Sequence, residues 1–363
     1  MKTRWMRTYG TRRPFKRVAS VLALLAGCSL VPPREENPTV IITDMGGVEV
    51  AVPRNIEQVV CVSNPGVDMM LALGAGDTLI GAHKSVMDNP WAKEFLPDSS
   101  RLTFLDSYAP EAEGLIAMNA DVVFLTSEEP CEVLRDKGVC AVCLRFYSLE
   151  ETKRAVALLG EMFGGTVAEK GGQWLAELES VISETNDKLS GVTEGERPVV
   201  YEIMGDKYRG LYRTPYGDTQ GWIACAGGEI ATKEFAGMTS SNTPMEEAIL
   251  ATNPDVILLS GQYWSQLKQD LLSDEKWASV NAVVNGEIYN IPIAFVSWGE
   301  GSCAYPLMIQ YLHSILYPSQ SDWLASAPED VQSFYQKYYG ISFSEEKVAY
   351  MLNTLGPDGE NLC

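Results

Sequence analysis

Histidine is scarce in this 363-residue chain, which contains only His83 and His313. A receptor for bare zinc or manganese ions needs several imidazole ligands, so this scarcity argues against direct capture of a metal ion. It also leaves few groups for general-base catalysis, and the chain contains no P-loop, no HExxH segment and no Ser-His-Asp order. We therefore expect a protein that is not an enzyme and that has no cofactor or metal centre of its own.

Long apolar runs are missing as well, since no stretch of eighteen apolar residues follows the amino-terminal segment. The first 17 residues contain seven Lys or Arg and no acid, and the apolar run after them ends in Leu25-Ala26-Gly27-Cys28. This pattern is typical of an export signal, here residues 1–27, which is too short to span a bilayer permanently. The ending resembles a bacterial lipobox, in which Cys28 becomes the lipidated first residue. The alternative is an ordinary cleaved signal followed by an unrelated cysteine.

Residues 28–38 contain three prolines and mixed charge, which predicts a tether between a lipid anchor and a folded part. We expect a protein that is anchored in the cell membrane on its extracytoplasmic face, or that lies in a periplasm. The pair Arg12-Arg13 keeps twin-arginine export open beside the general export route.

Positive charge is rare beyond the export signal. Seven of the 28 basic residues lie in the first 17 positions. From Cys28 onward the chain therefore has 21 basic and 48 acidic residues, a net charge of −27. Such a surface repels nucleic acid and anionic lipid headgroups, and it favours a soluble folded part or a basic protein partner. With 46% hydrophobic residues the chain can form two packed domains, and we expect a monomer.

The eight cysteines are unusual for an exported chain. Cys140 and Cys143 have the spacing of a redox motif, but they lie in an apolar run that predicts a buried strand. Residues three apart on a strand point to opposite faces and cannot pair, so we predict buried thiols. An exported thiol–disulfide or metal-handling protein that uses this pair remains the alternative. The sequence also leaves open a bridge between Cys131 and Cys140.

One pattern occurs twice, 134 residues apart: Glu113-GLIAMNA-Asp121 and Glu247-AILATNP-Asp255, each followed by an apolar run. Each copy predicts a short amphipathic helix that begins with a glutamate, then a tight turn, an aspartate and a buried strand. A repeat at this distance indicates two similar lobes in one chain. In two-lobed α/β proteins the ligand usually binds in the cleft between the lobes.

The predicted fold is α/β, with two Rossmann-like lobes of mostly parallel sheet joined by one long α-helix. A capping box formed by Ser148 and Glu151 starts the connecting helices, and an apolar stripe continues the helix beyond Gly164. Aromatic-rich helices after position 333 are expected on the outside of the C-terminal lobe. The boundaries are 39–147 for the N-terminal lobe, 148–196 for the connecting helices, 197–352 for the C-terminal lobe and 353–363 for a loose tail.

Candidate ligand-binding residues follow predicted strands, because the carboxyl ends of parallel strands face the cleft. Arginine can clamp a carboxylate, while tyrosine and tryptophan can stack on a flat ligand. The alternative for each is an ordinary solvated loop or aromatic packing in the core. The candidates are Asn64, His83, Lys84, Tyr108, Arg209, Tyr212, Arg213, Tyr216, Tyr263, Trp264 and Trp298.

Several segments, taken in order, resemble the substrate-binding lipoproteins of ABC importers for iron-siderophore, haem and corrinoid, the class III proteins with a helical backbone. The resemblance covers about 39–352. Its segments are Thr43-DMGGVEVAVP, Leu71-ALGAGDTLIG, Ala226-Gly227-Gly228-Glu229, Asn253-PDVILLSG and Val283-VNGEIYNIP.

The resemblance implies a metal chelate as the ligand, a ferric siderophore first and haem or corrinoid next, and an ABC permease as the partner. It also implies that Glu113 and Glu247, one in each lobe, dock onto arginines of the permease. The alternative is that each glutamate only stabilises the start of its helix. The first copy of the repeat departs from the family pattern, because Ala120 stands where a proline usually precedes the aspartate. A surface lipoprotein without a transport role is the remaining alternative.

Overall fold

The computed structural model describes residues 38–204, 220–233 and 246–362. The predicted export signal, Cys28 and nearly all of the tether lie outside these residues. The described part opens with an antiparallel hairpin of β1 (Thr39–Thr43) and β2 (Glu49–Pro53). Among the described residues, no helix is long and apolar enough to cross a membrane.

The N-terminal lobe is built on a five-stranded parallel sheet in which helices alternate with strands. Its strand order is β5-β4-β3-β6-β7. This order places the first strand of the lobe at the centre of the sheet, as the predicted Rossmann-like fold requires. The elements are β3 (Val59–Cys61), α1 (Asn64–Leu73), β4 (Leu79–His83), α2 (Ala92–Phe95), β5 (Thr103–Leu105), α3 (Ala112–Ala117), β6 (Val122–Leu125), α4 (Glu128–Asp136) and β7 (Ala141–Cys143).

Two consecutive helices follow, α5 (Leu149–Phe163) and α6 (Gly165–Lys188). The predicted cap is present, since Ser148 Oγ accepts a hydrogen bond from the Glu151 amide at 3.1 Å. Helix α6 packs against α5, against α1 of the N-terminal lobe and against helices of the C-terminal half. Its Trp174 indole N–H donates to Cys303 O at 2.7 Å. Helix α6 is therefore the predicted long connector.

The C-terminal lobe contains a four-stranded parallel sheet in the order β11-β10-β8-β9. One face of this sheet packs in a hydrophobic cluster of its own that includes Tyr201, Ile257 and Trp277. On the other face, Val200 and Leu258 belong to the large cluster that also contains residues of the first sheet. The elements of this part are β8 (Val199–Met204), α7 (Gly221–Cys225), β9 (Glu229–Ile230), α8 (Glu246–Thr252), β10 (Val256–Ser260), α9 (Trp264–Ser273), α10 (Asn281–Asn285), β11 (Ile288–Asn290), α11 (Tyr305–Leu316), α12 (Trp323–Tyr339) and α13 (Glu345–Leu352).

The sequence repeat is also a structural repeat. Asn119 and Asn253 both adopt the left-handed conformation, with φ of 54° and 44°, at the turn between helix and strand. Asparagine tolerates this conformation better than most residues. Two residues later, Asp121 accepts from the Gln58 amide and Asp255 accepts from the Val199 amide, both at 2.9 Å. Each aspartate thus fixes the start of the central strand of its own sheet.

The carboxyl-terminal helices correct one prediction, because α12 does not lie on the outside of the C-terminal lobe. It packs against α1 and α11, and Tyr335 and Tyr338 on it are buried. Phe95 of the N-terminal lobe makes edge contacts with Tyr335 and Tyr339. The aromatic residues of α12, which we predicted to lie at the periphery, therefore contact both halves of the protein.

The prediction of a loose tail from 353 was wrong for the described residues. Thr354 is fully buried, and two indole N–H groups hold its neighbourhood in place: Trp91 donates to Leu355 O at 2.7 Å and Trp264 donates to Thr354 O at 3.0 Å. Composition gave no sign of these contacts, since both partners lie far away in the sequence.

Candidate ligand cleft

A cavity of about 670 Å³ lies between the two sheets, at the carboxyl ends of their strands. Ser63 and Asn64 line it after β3, Ser85 after β4 and Thr126 after β6. From the other side, Met204 ends β8 and Gly261 follows β10. Ligands of open parallel sheets bind at this edge, so the cavity lies where the fold predicts a ligand site. Its wall is completed by Asp88, Asn89, Phe146, Tyr147, Gln262, Tyr263, Ile293, Phe295, Ser297, Glu300 and Leu362, among others.

The N-terminal wall is a network centred on Ser85. Its hydroxyl contacts Nδ1 of His83 at 2.8 Å, Oδ1 of Asn64 at 3.1 Å and the hydroxyl of Tyr108 at 3.1 Å. The Tyr108 ring stacks on the His83 ring, with centroids 3.7 Å apart. Asn64 and Tyr108 line the cavity, whereas His83 is buried behind them and supports both.

Helix α1 begins at this wall. Ser63 is its N-cap and accepts from the Gly66 amide at 3.3 Å, and Pro65 occupies the first turn. Ser63, Asn64 and Pro65 all line the cavity, so the positive end of the α1 dipole faces the cleft. This arrangement suits a negatively charged group of a ligand.

The C-terminal wall carries a carboxylate. Glu300 lines the cavity and accepts a hydrogen bond from Ser260 Oγ at 2.7 Å, and Ser260 in turn contacts Ser297 at 3.3 Å. Tyr263, placed just after β10, lines the same wall. Within the described lining, the charged residues are Asp88 and Glu300, and both are acidic.

A second carboxyl group lies behind this wall on β8. Glu202 is fully buried, and burial together with the nearby Glu300 raises its pKa to about 8. Gln220 Nε2 donates to one of its oxygens at 3.2 Å, while the other has no hydrogen-bond partner within the described part of the chain. Burial and the neighbouring Glu300 therefore both favour the protonated form of Glu202 at neutral pH.

Lys84 stands outside the cavity. It is exposed, and its ammonium group pairs with Asp106 at 2.8 Å, which lowers the pKa of Asp106 and raises the pKa of Lys84. Exposed ion pairs of this kind contribute little to stability. Lys84 could contact only a part of a ligand that extends beyond the cavity.

Two tryptophans assigned to the ligand lie elsewhere, which corrects those predictions. Trp298 is fully buried and donates its indole N–H to Tyr335 OH at 3.0 Å. Trp264 begins α9, and its indole N–H is used by Thr354. Trp298 lies in the core, and Trp264 is partly buried against the core of the C-terminal lobe. The ring that reaches the cleft after β10 is that of Tyr263.

The structure brings together Asn64, Tyr108 and Tyr263 in one cavity. The candidates Arg209, Tyr212, Arg213 and Tyr216 lie outside the described residues, although the segment that contains them begins directly after the lining residue Met204. Sequence reasoning missed Ser85, Phe295 and Glu300. Ser85 lies two residues after β4, so a search of all polar residues that closely follow a predicted strand would have found it.

The predicted docking glutamates are both exposed at the start of a helix. Glu113 lies in the first turn of α3, and Glu247 lies in the first turn of α8. Their equivalence in the two lobes follows from the repeat of Asn119-Asp121 and Asn253-Asp255. Contact with a permease remains a prediction.

Cys140 and Cys143, which have the spacing of a redox motif, point to opposite faces of their strand, as the sequence predicted. Cys140 Sγ donates to Ala51 O at 3.5 Å on one face of β7, whereas Cys143 packs with Cys131 on the other. The structure shows no disulfide among the six described cysteines, and it does not join Cys131 to Cys140, the bridge that the sequence left open. Among the described residues, no group of three or more His, Cys, Asp or Glu side chains could hold a metal ion.

Comparison with known proteins places the chain in a family. The model of the family described as periplasmic binding protein matches residues 59–294. The chain belongs to this family, whose two-lobed α/β fold is the one described above.

Individual relatives are distant. The molybdate-binding protein MolA of Haemophilus influenzae is 24% identical over 348 residues, which cover 85% of this chain and 93% of that protein. Its molybdate-bound structure superposes with a TM-score of 0.71 at 20% identity, covering 84% of this chain and 99% of that one. A periplasmic solute-binding protein of Veillonella parvula gives a TM-score of 0.70 at 20% identity, covering 87% and 97%.

A third structure, Helicobacter pylori CeuE with bound Ni(II), gives a TM-score of 0.65 at 14% identity and covers 86% of this chain and 99% of that one. At these identities the structures establish a shared fold, and they do not transfer a ligand.

Proposed function

We propose that this protein is the extracytoplasmic substrate-binding component of an ABC importer, lipid-anchored through Cys28, and that its ligand is a metal chelate. A ferric siderophore comes first, ahead of haem and corrinoid. The family membership supports the binding role. The observation that carries the choice of ligand is the cavity itself, in its size and in its lining.

The size of the cavity favours a chelate. At about 670 Å³ it falls within the roughly 300–1,000 Å³ that is typical of sites for drug-sized ligands. A bare tetrahedral oxyanion would fill a small part of it. Aromatic side chains on both walls, Tyr108 and Tyr263 with Phe295, provide faces on which a flat or ring-bearing ligand can pack.

The charge of the described lining also favours a metal chelate over a bare oxyanion. Asp88 in the lining would repel a dianion that has no counter-charge of its own, whereas a chelated cation partly offsets this carboxylate. Arg209 and Arg213, in the segment that begins after Met204, are the candidates for binding carboxylate or catecholate groups of the chelator. Asn64 and Ser85 supply neutral hydrogen bonds.

An oxyanion is the second candidate, and one observation favours it. The positive end of α1 faces the cavity through Ser63, Asn64 and Pro65, an arrangement that suits an anion. MolA, which is named for binding molybdate, is among the relatives.

Calorimetric titration of the purified protein separates these candidates. The panel is a ferric hydroxamate, a ferric catecholate, haemin, cobalamin and molybdate, and saturating binding by one metal chelate with no heat from molybdate is the expected result. Binding of molybdate alone would show that the ligand is an oxyanion and not a metal chelate. No binding by any member would overturn the importer role and favour a lipoprotein without transport function.

Matched variants locate the site. Tyr263→Ala removes a ring from the cavity wall and should weaken the chelate up to about tenfold, as expected for one aromatic contact of about 0.5–1.5 kcal/mol. Trp264→Phe changes the adjacent ring, which lies outside the lining, and should leave affinity unchanged. Equal effects of both changes would place the ligand elsewhere.

A further inference from the structure

Two cysteines that the binding role does not use lie side by side. Cys131 on α4 and Cys143 on β7 are both fully buried in the same hydrophobic cluster. Their thiols are hydrogen-bonded to each other. The pairing follows from the pleat of β7, which turns Cys143 toward α4 and Cys140 toward the opposite face.

The elements that carry these thiols are already held together. Arg135, one turn beyond Cys131, donates to Ala141 O at 3.0 Å and to Asp44 Oδ2 at 3.2 Å. The same Asp44 oxygen accepts from the Cys143 amide at 3.0 Å. Helix and strand are thus fixed on both sides of the thiol pair, so a covalent bond between the sulfurs would join groups that the fold has already brought together.

We propose that Cys131 and Cys143 are joined by a disulfide in the exported protein. This inference rests on the extracytoplasmic location contained in the proposed function, because disulfides form and persist outside the reducing cytosol. The bond would close a short ring from the middle of α4 to the edge strand β7. Cys140 and Cys225, which are partly buried, remain free thiols.

The reaction is a thiol–disulfide exchange with a disulfide-donating oxidant of the cell envelope. One thiolate attacks the oxidant disulfide and forms a mixed disulfide, and the second thiol then displaces the oxidant. The protein loses two protons and two electrons as its S–S bond forms, and the oxidant disulfide is reduced to two thiols. Since neither sulfur is exposed in the folded chain, the mixed disulfide must form before α4 packs onto β7.

Peptide mapping of the full-length protein tests the proposal. The chain is exported by a bacterial host, extracted with detergent without reductant, denatured in an alkylating reagent and digested. The expected result is one linked peptide that contains Cys131 and Cys143, with Cys140 alkylated. Alkylation of both Cys131 and Cys143 overturns the proposal, and so does a bridge from either one to another cysteine.

Variants and reduction supply a second readout. Cys140→Ser should keep the linked peptide and Cys131→Ser should abolish it. Reductant should lower the thermal midpoint of the wild-type protein by about 5 °C, as expected for a bond that closes a short loop, and leave that of Cys131→Ser unchanged. If Cys131→Ser does not fold, the wild-type map alone still decides.

The outcome is separable from that of the ligand proposal. Calorimetry on the same preparation can find a linked protein that binds no chelate, which would count against the ligand and not the disulfide. A protein that binds a chelate while both thiols are alkylated after denaturation would count against the disulfide alone.

Discussion

Asp68 accepts the phenol O–H of Tyr339 at 2.6 Å and so joins the first helix of the N-terminal lobe to the end of α12. Its other oxygen accepts from the Cys303 amide at 3.0 Å, at the entrance to α11. Asp68 is fully buried, and burial raises its pKa to about 6, although hydrogen bonds from Tyr339, Cys303 and Ser302 act in the opposite direction. One carboxyl group thus links three segments at the junction of the lobes.

The elevated pKa of Asp68 predicts a stability that falls as pH rises. In the unfolded chain the group ionises near its ordinary pKa of 3.8, and in the folded protein it holds its proton to about 6. Between these values the folded state binds more protons, so the free energy of unfolding should decrease by up to about 3 kcal/mol. Urea denaturation at pH values from 4 to 7 measures this slope.

Asp68→Asn should flatten that part of the profile, because an amide does not titrate and can still accept one hydrogen bond. Asp98→Asn, at an exposed position, is the matched control and should keep the slope. An unchanged slope in Asp68→Asn would assign the pH dependence to other groups. Tyr339→Phe should move the decline to higher pH, since its hydrogen bond lowers the pKa of Asp68.

Glu202 predicts a second decline over a wider window. Its pKa is raised from 4.5 to about 8 by burial, so the unfolded state ionises first and stability is lost progressively between these values. The slope attributable to this group is about 1.4 kcal/mol per pH unit at most. Glu300, Gln220 and Tyr305 are the groups that face it.

Glu202→Gln should remove this slope between pH 6 and 8, where Asp68 has already ionised. Thermal denaturation at half-unit intervals of pH gives the measurement. Glu229→Gln, an exchange at a partly exposed glutamate of the same lobe, should retain the wild-type slope. If the two variants behave alike, Glu202 ionises at its usual pKa and the burial argument fails.

Charge reversal at the two exposed glutamates should separate delivery from binding. Glu113→Lys or Glu247→Lys should reduce ligand uptake by cells at least tenfold, because the proposed permease arginines would then face a like charge. The dissociation constant of the ligand should not change, since both residues lie in the first turns of α3 and α8, outside the cleft lining.

Glu129→Lys is the matched control for this pair, since Glu129 is also an exposed acid in the first turn of a helix, α4. Uptake by this variant should resemble that of the wild type. Equal loss in all three variants would mean that surface charge in general, and not a two-point contact, governs transport.

Local sequence patterns predicted the fold well, because its main signals are local. The turn at Asn119, the cap at Ser148 and the apolar strands depend on neighbours within a few residues. The cleft was predicted less well. Trp298 and Tyr263 both follow strands and look alike in sequence, yet a contact with Tyr335, 37 residues further on, draws Trp298 into the core. Tyr339 and Asp68 are 271 residues apart, and no local pattern connects them.

The difference between these two aromatic residues gives the last prediction. Trp298→Phe removes the hydrogen bond to Tyr335 OH and part of a fully buried ring, so it should lower the free energy of unfolding by about 2 kcal/mol or more. Its effect on ligand affinity should be small, because the ring lies outside the cavity. Tyr263→Ala should do the reverse, since its ring lines the cleft. Denaturation and calorimetry on both variants measure the two effects. A large loss of affinity in Trp298→Phe at unchanged stability would show that Trp298 contacts the ligand.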